Sequence, residues 1–510
     1  MKKIILTIFT TAVVLIIQAQ VPRTSYFMDK YANRHQLNPA LTPAWGYINF
    51  PGLGNIYIGT ESNLRLSNFV YPPDTGRLQT FMHRDVKADD FLKRVKKSNH
   101  IGGHFNLNVL GFGFYVNNDK FFSFDMNVKT EVGMNIPKDV FTMFKRGMTD
   151  SAGTAYNIKN MNVVARAYTE FALGYAQDVN ESLRVGGKLK FLIGHADARL
   201  KVDRMDVLMS PDIWTIHPTA TGTILGNFLV PEYDSAGNIR IDKVATPEKL
   251  GTSNFFGGYG AAIDLGAVYN FDKILGNLQG FTVSFGLTDL GFITYSKDKV
   301  IQAQAQHEVI YEGFDLQFEN SELKIDFDKL TGQFTNMLEL REIPATGDVT
   351  RALRTTTNLG LEYSFLQNKM SAGLLWSTHF GLPSTFSELT LSYNLRPVNW
   401  FSLSLSSSVA HGFFRSAGWA MNITPKYGLN LFIGMDYVPF AWTPKLDKLD
   451  YGVPFGLPIY TANVNVNFGL SIPLGRNRHH NYPRSRGSRD RDKNTDTDIN
   501  IEDLPLLDEE

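Results

Sequence analysis

The sequence predicts an all-β fold: an up-and-down transmembrane β-barrel of about 14 antiparallel strands, with the N-terminal segment tucked inside as a plug. Three observations carry that reading. Apolar and polar residues alternate with period two over stretches of roughly ten residues, the length a strand needs to cross a bilayer. The connections between these stretches alternate between tight turns and long loops, as in barrels with short periplasmic turns and long extracellular loops. No window after the N-terminal leader offers ~18 apolar residues in succession, so a helix that spans a membrane is not predicted.

Composition narrows the class further. The 510 residues hold 50 Lys+Arg against 50 Asp+Glu, and no Cys. A neutral balance argues against nucleic acid as a partner. The absence of Cys removes disulfides, thiol catalysis and Cys-ligated metals. With 37 Phe, 21 Tyr and 43 Gly, the chain suits strands and turns better than a helical bundle.

Taken in order, the chain begins with Lys2 and Lys3, then the uncharged 14-residue run Ile4 to Ile17, then Gln18-Ala19-Gln20. This is a secretory signal, with cleavage expected after Ala19. Residues 20–54 carry Asn38-Pro39-Ala40 and Pro51-Gly52-Leu53-Gly54, which suit neither a long strand nor a helix. A segment lodged in the lumen fits them.

Strands follow at 55–67, 104–116, 120–132, 161–176, 183–202, 255–270, 281–295, 354–365, 370–379, 387–395, 400–409, 415–424, 428–437 and 460–473. The clearest alternates Ala462, Val464, Val466, Phe468, Leu470 and Ile472 with Asn463, Asn465, Asn467, Gly469 and Ser471. The long connections are 68–103, 133–160, 203–254, 296–353 and 438–459, with 301–315 expected as a hairpin inside one of them. Two loop pieces have helical periodicity: Lys138 to Arg146 and Phe327 to Leu340.

Alternation assigns Asp125, Lys129, Arg166, Glu170, Arg184, Lys188, Lys190, Asp264, Glu362 and Asp436 to the inward face. Charges are tolerated in a wet lumen and costly on the lipid face. Their mixed signs point to cross-lumen ion pairs, not to a filter for one sign of ion.

Residues 476–510 form a charged tail, basic to Lys493 and acidic beyond, expected to be disordered in the periplasm. Within it Asp492, Asn494, Asp496, Asp498, Asn500 and Asp503 have the spacing of a calcium loop. Thr497 stands where that loop needs Gly, so a solvated acidic tail is the better account. His100 and His104 flank two glycines, which disfavours a zinc helix. No set of Ser, His and acid residues stands out, so neither a catalytic role nor a cofactor is expected.

The Asn38-Pro39-Ala40 motif before the first strand, the strand count, and the two longest outer loops in third and fourth place resemble the long-chain fatty-acid transporter family of outer-membrane barrels. Gly286-Leu287-Thr288-Asp289-Leu290-Gly291-Phe292-Ile293 and Arg23-Thr24-Ser25-Tyr26-Phe27-Met28 more closely resemble an uncharacterised branch of those barrels. The resemblance implies a plug built on Asn38, Pro39 and Ala40, and capture of a small hydrophobic or amphipathic molecule by loops 203–254 and 296–353. The rival expectation is a membrane scaffold for a secretion or surface complex, meeting a protein partner through 476–510. Either way the chain sits in outer-membrane lipid with both termini in the periplasm.

Overall fold

The computed structural model describes residues 22–71, 79–117, 119–245, 255–271, 279–311, 317–319, 322–324, 337–410, 413–425, 428–438 and 463–474. The expected leader and the calcium-spaced residues Asp492, Asn494, Asp496, Asp498 and Asp503 lie outside them.

Alternating faces build a closed antiparallel barrel. Its 14 strands are β1 (Gly46–Asn49, resumed at Ile56–Ser62), β2 (Ser98–Val116), β3 (Lys120–Pro137), β4 (Thr154–Asp178), β5 (Leu183–Met209), β6 (Gly258–Asn270), β7 (Phe281–Tyr295), β8 (Thr355–Phe365), β9 (Met370–Phe380), β10 (Phe386–Val398), β11 (Phe401–Ala410), β12 (Phe413–Ile423), β13 (Asn430–Met435) and β14 (Val464–Leu474). Each strand pairs with its sequence neighbours. Closure comes from β14 on β1, with Ile56 opposite Phe468 and Gly46 opposite Leu474. No sheet edge is left in the membrane, which a lipid-embedded sheet requires.

The two faces of the wall are chemically opposite. Leu189 is 70% exposed, Leu173 65% and Leu391 59%, all pointing outward. Inward, Ser404, Asn422 and Asn467 are fully buried. Aromatic residues gather near the short turns: Phe122 lies 5.0 Å from Tyr175, and Phe281 4.6 Å from Tyr363, between ring centroids. An apolar belt with an aromatic girdle over a polar interior is the surface of an outer-membrane barrel.

The structure differs from the sequence reading in three places. Pairing starts at Gly46, not at 55, because β1 is split by a bulge over 50–55 where Gly52 takes φ +70°. Toward the long-loop end, β4 and β5 run to 25 and 27 residues, well past the ~9–11 that cross a bilayer. Much of what reads as loop is therefore strand standing above the membrane. Of the expected hairpin 301–315, residues 312–315 lie outside the described residues, and 301–311 do not fold back on themselves. Instead Val300–Ala305 and Val309–Tyr311 both lie along Trp214–Leu225, which continues the sheet from β5. Of the two helical pieces, Lys138–Arg146 is a helix as expected, and most of Phe327 to Leu340 lies outside the described residues, with Met337 and Leu338 in a turn.

A charge on the lipid face should be costly. Leu189→Arg, near the middle of the lipid-facing part of β5, is expected to destabilise the folded barrel by about 2–4 kcal/mol, read by denaturant unfolding in lipid vesicles. An unchanged midpoint would mean that this face does not meet lipid.

Candidate functional site

Residues 22–45 occupy the lumen. They form two short 3-10 turns, Arg23–Ser25 and Ala32–Gln36, joined by irregular chain. Most of their backbone groups have no strand partner, so the wall must supply hydrogen bonds. Asp436 accepts from the Arg23 and Thr24 amides at 3.1 and 2.9 Å. Arg396 donates to the Phe27 carbonyl at 2.7 Å, and Asn358 to that of Leu37 at 2.9 Å. The segment also carries its own small core: Tyr26, Phe27, Met28, Tyr31, Leu37 and Leu41 pack on Leu375, Ala420 and Phe432 of the wall. Tyr31 stacks on Phe432 at 3.8 Å between centroids.

Asn38-Pro39-Ala40 lies flat on three glycines from adjacent strands, Gly186, Gly266 and Gly286. A Cβ on Gly266 would sit 2.1 Å from Asn38 Oδ1, and one on Gly186 would sit 2.6 Å from the Pro39 carbonyl oxygen. A Cβ on Gly286 would sit 2.9 Å from the Leu37 carbonyl oxygen. Asn38 closes the bend by accepting from the Ala40 amide at 3.0 Å. The motif is thus a bend that fits a smooth strip of wall.

Above this segment the lumen is a mesh of ion pairs. Lys190 reaches Asp289 at 2.7 Å, Asp264 at 2.8 Å and Glu170 at 3.3 Å. Lys129 meets Glu170 at 2.8 Å and Asp289 at 3.3 Å. Lys188 pairs with Asp125 at 3.4 Å, and His35 of the plug approaches the same carboxylate at 3.8 Å. Across the lumen, Arg23 pairs with Glu388 at 3.3 Å and donates to Tyr437 and His379 at 2.9 and 3.0 Å. Arginine has no acceptor, so His379 Nε2 must accept and its Nδ1 donates to Thr356 Oγ1 at 2.7 Å. Arg354 pairs with Glu61 at 3.1 Å, and Arg396 with Glu362 at 3.2 Å. Arg184 bonds Asp178 at 2.5 Å and Thr42 of the plug at 2.9 Å, while Arg166 meets Asp197 at 2.8 Å.

Lys129, Glu170, Lys190 and Asp264 therefore form one cluster, joined to Asp289. Asp436, Glu362, Asp125, Lys188 and Arg184 instead bind the plug or side chains that hold it. Arg166 stands apart, higher in the wall. The void left among these groups is small, about 50 Å³, lined by Arg23, Lys129, Glu170, Lys190, Asp289 and Arg354 among others. That is room for a few ordered waters and too little for a hydrocarbon chain.

Alternation misses Asp289 and Asp197 for one physical reason. Each follows a bulge that reverses which face the strand's odd residues take. In β7, Thr288 and Asp289 together oppose Asp264, and Asp289 adopts φ +58°. In β5, His195 is the extra residue between Gly194 and Ala196, which oppose Tyr168 and Ala167. The signal for Asp289 is its place in the Gly286–Ile293 motif. Glu388 is readable from the outward Leu389, Leu391 and Tyr393, while Arg23, Glu61 and Arg354 lie on or beside segments without alternation.

At the end of the barrel opposite Gly46 and Leu474 the third and fourth long loops join. Besides the shared sheet, Ile239 donates its amide to the Leu340 carbonyl at 2.8 Å, and Tyr233 donates to Glu342 at 2.5 Å. That bond pushes the phenol up to about 12. Their common core is rich in methionine: Met143, Met161, Met205, Met209 and Met337 pack with Ile158, Val202 and Ile216. Among the described residues no group of His, Cys, Asp and Glu is placed to hold a metal ion.

A closed barrel with a lipid belt, a lumen filled by its own N-terminal segment and a two-loop cap defines a plugged outer-membrane β-barrel. Within that class the chain belongs to a family of unknown function (DUF5723), whose model matches residues 39–436. No curated protein matches it at a significant level. Among solved structures it is similar to the P. putida toluene transporter TodX, at 9% identity over 87% of this chain and 94% of that one, with a TM-score of 0.37. The Ralstonia pickettii toluene transporter TbuX gives 8% identity, 85% and 91% coverage and a TM-score of 0.35. A Pseudomonas aeruginosa FadL homologue gives 9%, 89% and 98%, and 0.34.

Gly266→Val places a side chain where Asn38 and Ala40 lie. The barrel is expected to fold with 22–45 displaced, which should raise conductance in planar bilayers and open that segment to protease. Unaltered conductance together with full protease resistance would contradict the seating described.

Proposed function

We propose that this barrel binds and takes up a small hydrophobic or amphipathic molecule, captured at the cell surface by the joined loops 203–254 and 296–353. The observation that carries the reading is the union of these loops. Two segments far apart in sequence pair as Trp214–Leu225 with Val300–Ala305, over a core of flexible, polarisable methionines. Methionine surfaces adapt to apolar ligands of varied shape. The solved barrels named above include toluene transporters, a cargo of the same chemical kind.

In this proposal the chain is exported through cleavage after Ala19. The short turns face the periplasm, and both ends of the chain lie there: β1 begins and β14 ends at the same rim, where Gly46 faces Leu474. The plug and the charged mesh keep the lumen closed at rest, so uptake requires 22–45 to shift or the cargo to leave the cap sideways.

A second reading has its own observation. A void of only about 50 Å³ among the lumen charges suits a barrel that transports nothing and anchors a partner through 476–510.

One experiment separates them. Residues 300–343 are replaced by a short Gly-Ser linker in the full chain, and binding of the apolar fluorophore N-phenylnaphthylamine is measured in nonionic detergent. Loss of binding with a folded barrel supports capture by the cap. Equal binding by both forms would sink that role. If neither form binds, and native mass spectrometry shows a protein partner lost on truncating 476–510, the scaffold reading holds.

A further inference from the structure

We propose that Arg166, Arg199 and Arg351, beside Tyr295 and between the ion-paired lumen and the cap, bind a phosphate monoester headgroup. The proposal rests on the uptake reading above and specifies the polar end of its cargo.

The site forms where both long loops spring from the wall. The bulge at His195 turns Asp197 inward, where it is fully buried. Arg199 grips it with two bonds of 2.8 and 3.1 Å. Arg166 donates to it at 2.8 Å, and Arg351 Nε stands 3.7 Å away. Arg351 comes from the fourth loop and sits opposite Ile293, whereas Arg199 sits opposite Thr223 of the third. Its Nη2 is anchored on Thr223 Oγ1 at 2.7 Å.

Charge is what sets this cluster apart. Around Lys129 and Lys190, three carboxylates neutralise two ammonium groups. Here three guanidinium groups surround one carboxylate. Glu131 lies opposite Arg166 in the strand register, but no ion pair joins them among the described residues. The surplus is two positive charges counting Asp197 alone, and one counting Glu131 as well. Unpaired buried charge is destabilising, so a surplus held in a wall asks for an anion.

Two buried donors point the same way. Arg351 Nε and the Tyr295 hydroxyl both lack a hydrogen-bond partner, and Tyr295 is fully buried. A phosphate monoester carries about −1.5 to −2 charges at neutral pH and three strong acceptor oxygens. It would match the two-charge surplus left with Asp197 alone, and it accepts from guanidinium forks. A carboxylate offers a single charge and two oxygens. The headgroup site borders apolar packing, since Tyr168, Leu192, Leu225, Ile293, Val300 and Leu353 form one buried cluster with Tyr295.

The test uses the full chain in nonionic detergent, with calorimetric titration of dodecyl phosphate, dodecanoate, dodecanol and inorganic phosphate. Dodecyl phosphate is expected to bind about tenfold or more tighter than dodecanoate or dodecanol. Arg351→Met should remove that preference while N-phenylnaphthylamine binding stays unchanged, which shows the cap intact. Arg351→Lys should restore it in part. Inorganic phosphate that competes at millimolar concentration would identify a free-phosphate site of the same chemistry. Failure to compete would assign the site to an amphiphile's headgroup.

Equal affinity for dodecyl phosphate and dodecanol, or a preference untouched by Arg351→Met, overturns the headgroup site and leaves uptake standing. No binding of any alkyl probe or of N-phenylnaphthylamine overturns both.

Discussion

The Asp436 carboxylate and the two amides it receives, those of Arg23 and Thr24, express the constraint on which the rest of this structure depends. A stretch of chain with little regular structure lies inside a membrane barrel, where an unpaired backbone group costs about 1–3 kcal/mol. The wall therefore has to present hydrogen-bonding side chains at the heights where the plug needs them. Asn358, Arg396 and Asp436 do so for the backbone. The three glycines do it by absence, since any side chain there would keep Asn38 and Pro39 away from the strands. Plug and wall are one folding unit in this sense. The wall's inward pattern of Ser, Asn and Gly is as much the plug's complement as it is the lining of a lumen.

The charges follow from the same arrangement. A wet lumen tolerates ionised groups, but once the plug fills it little water is left, and each ion needs a partner. Most have one. The Lys129–Glu170–Lys190–Asp264–Asp289 cluster spans β3, β4, β5, β6 and β7, so it ties together one side of the barrel. Arg23–Glu388 and Arg396–Glu362 tie the plug to the other side. Two bulges make this possible, by turning Asp197 and Asp289 inward from positions that simple alternation would send to lipid. A positive φ at Asp289 is tolerated because its amide bonds Asp264 at 2.7 Å.

The barrel was legible because its signal is redundant. Fourteen segments each repeat the same alternation, and a residue or two lost at an end changes nothing. What lay beyond the bilayer was harder to read. Strands β4 and β5 keep going above the membrane, but there the buried face looks onto a methionine core and the outer face onto water. A reader expecting membrane-length strands therefore stops them early. The pairing of 300–305 with 214–225 joins segments more than seventy residues apart and leaves no local mark. Lys129, Glu170 and Lys190 follow the parity of their strands and meet in one ion-paired cluster. Lumen charges were lost where a bulge reset parity, as with Asp197 and Asp289. Arg23 was visible only as part of a motif, because no periodicity exists in a plug.

These features bear on how a cargo could pass. The captured molecule must be apolar enough to enter a methionine-rich cap, yet beneath the cap lies a mesh with room for only a few waters. Pushing an alkyl chain through it would separate Lys190 from three carboxylates and Arg23 from Glu388 in a poorly hydrated space. Breaking a single buried pair of this kind costs about 3–5 kcal/mol. Moving the plug as a body is less disruptive in one respect, because its hydrogen bonds to Asn358, Arg396 and Asp436 could be replaced by bonds to water. It would still expose Tyr26, Phe27, Tyr31 and Leu37. The alternative is a route that never enters the mesh, from the cap directly to the outward-facing leucines of the wall. The arginine cluster favours this second geometry. It sits above the Lys129 and Lys190 layer, at the junction of both loops, where a charged headgroup can be held while the apolar body seeks the apolar surroundings nearest to it.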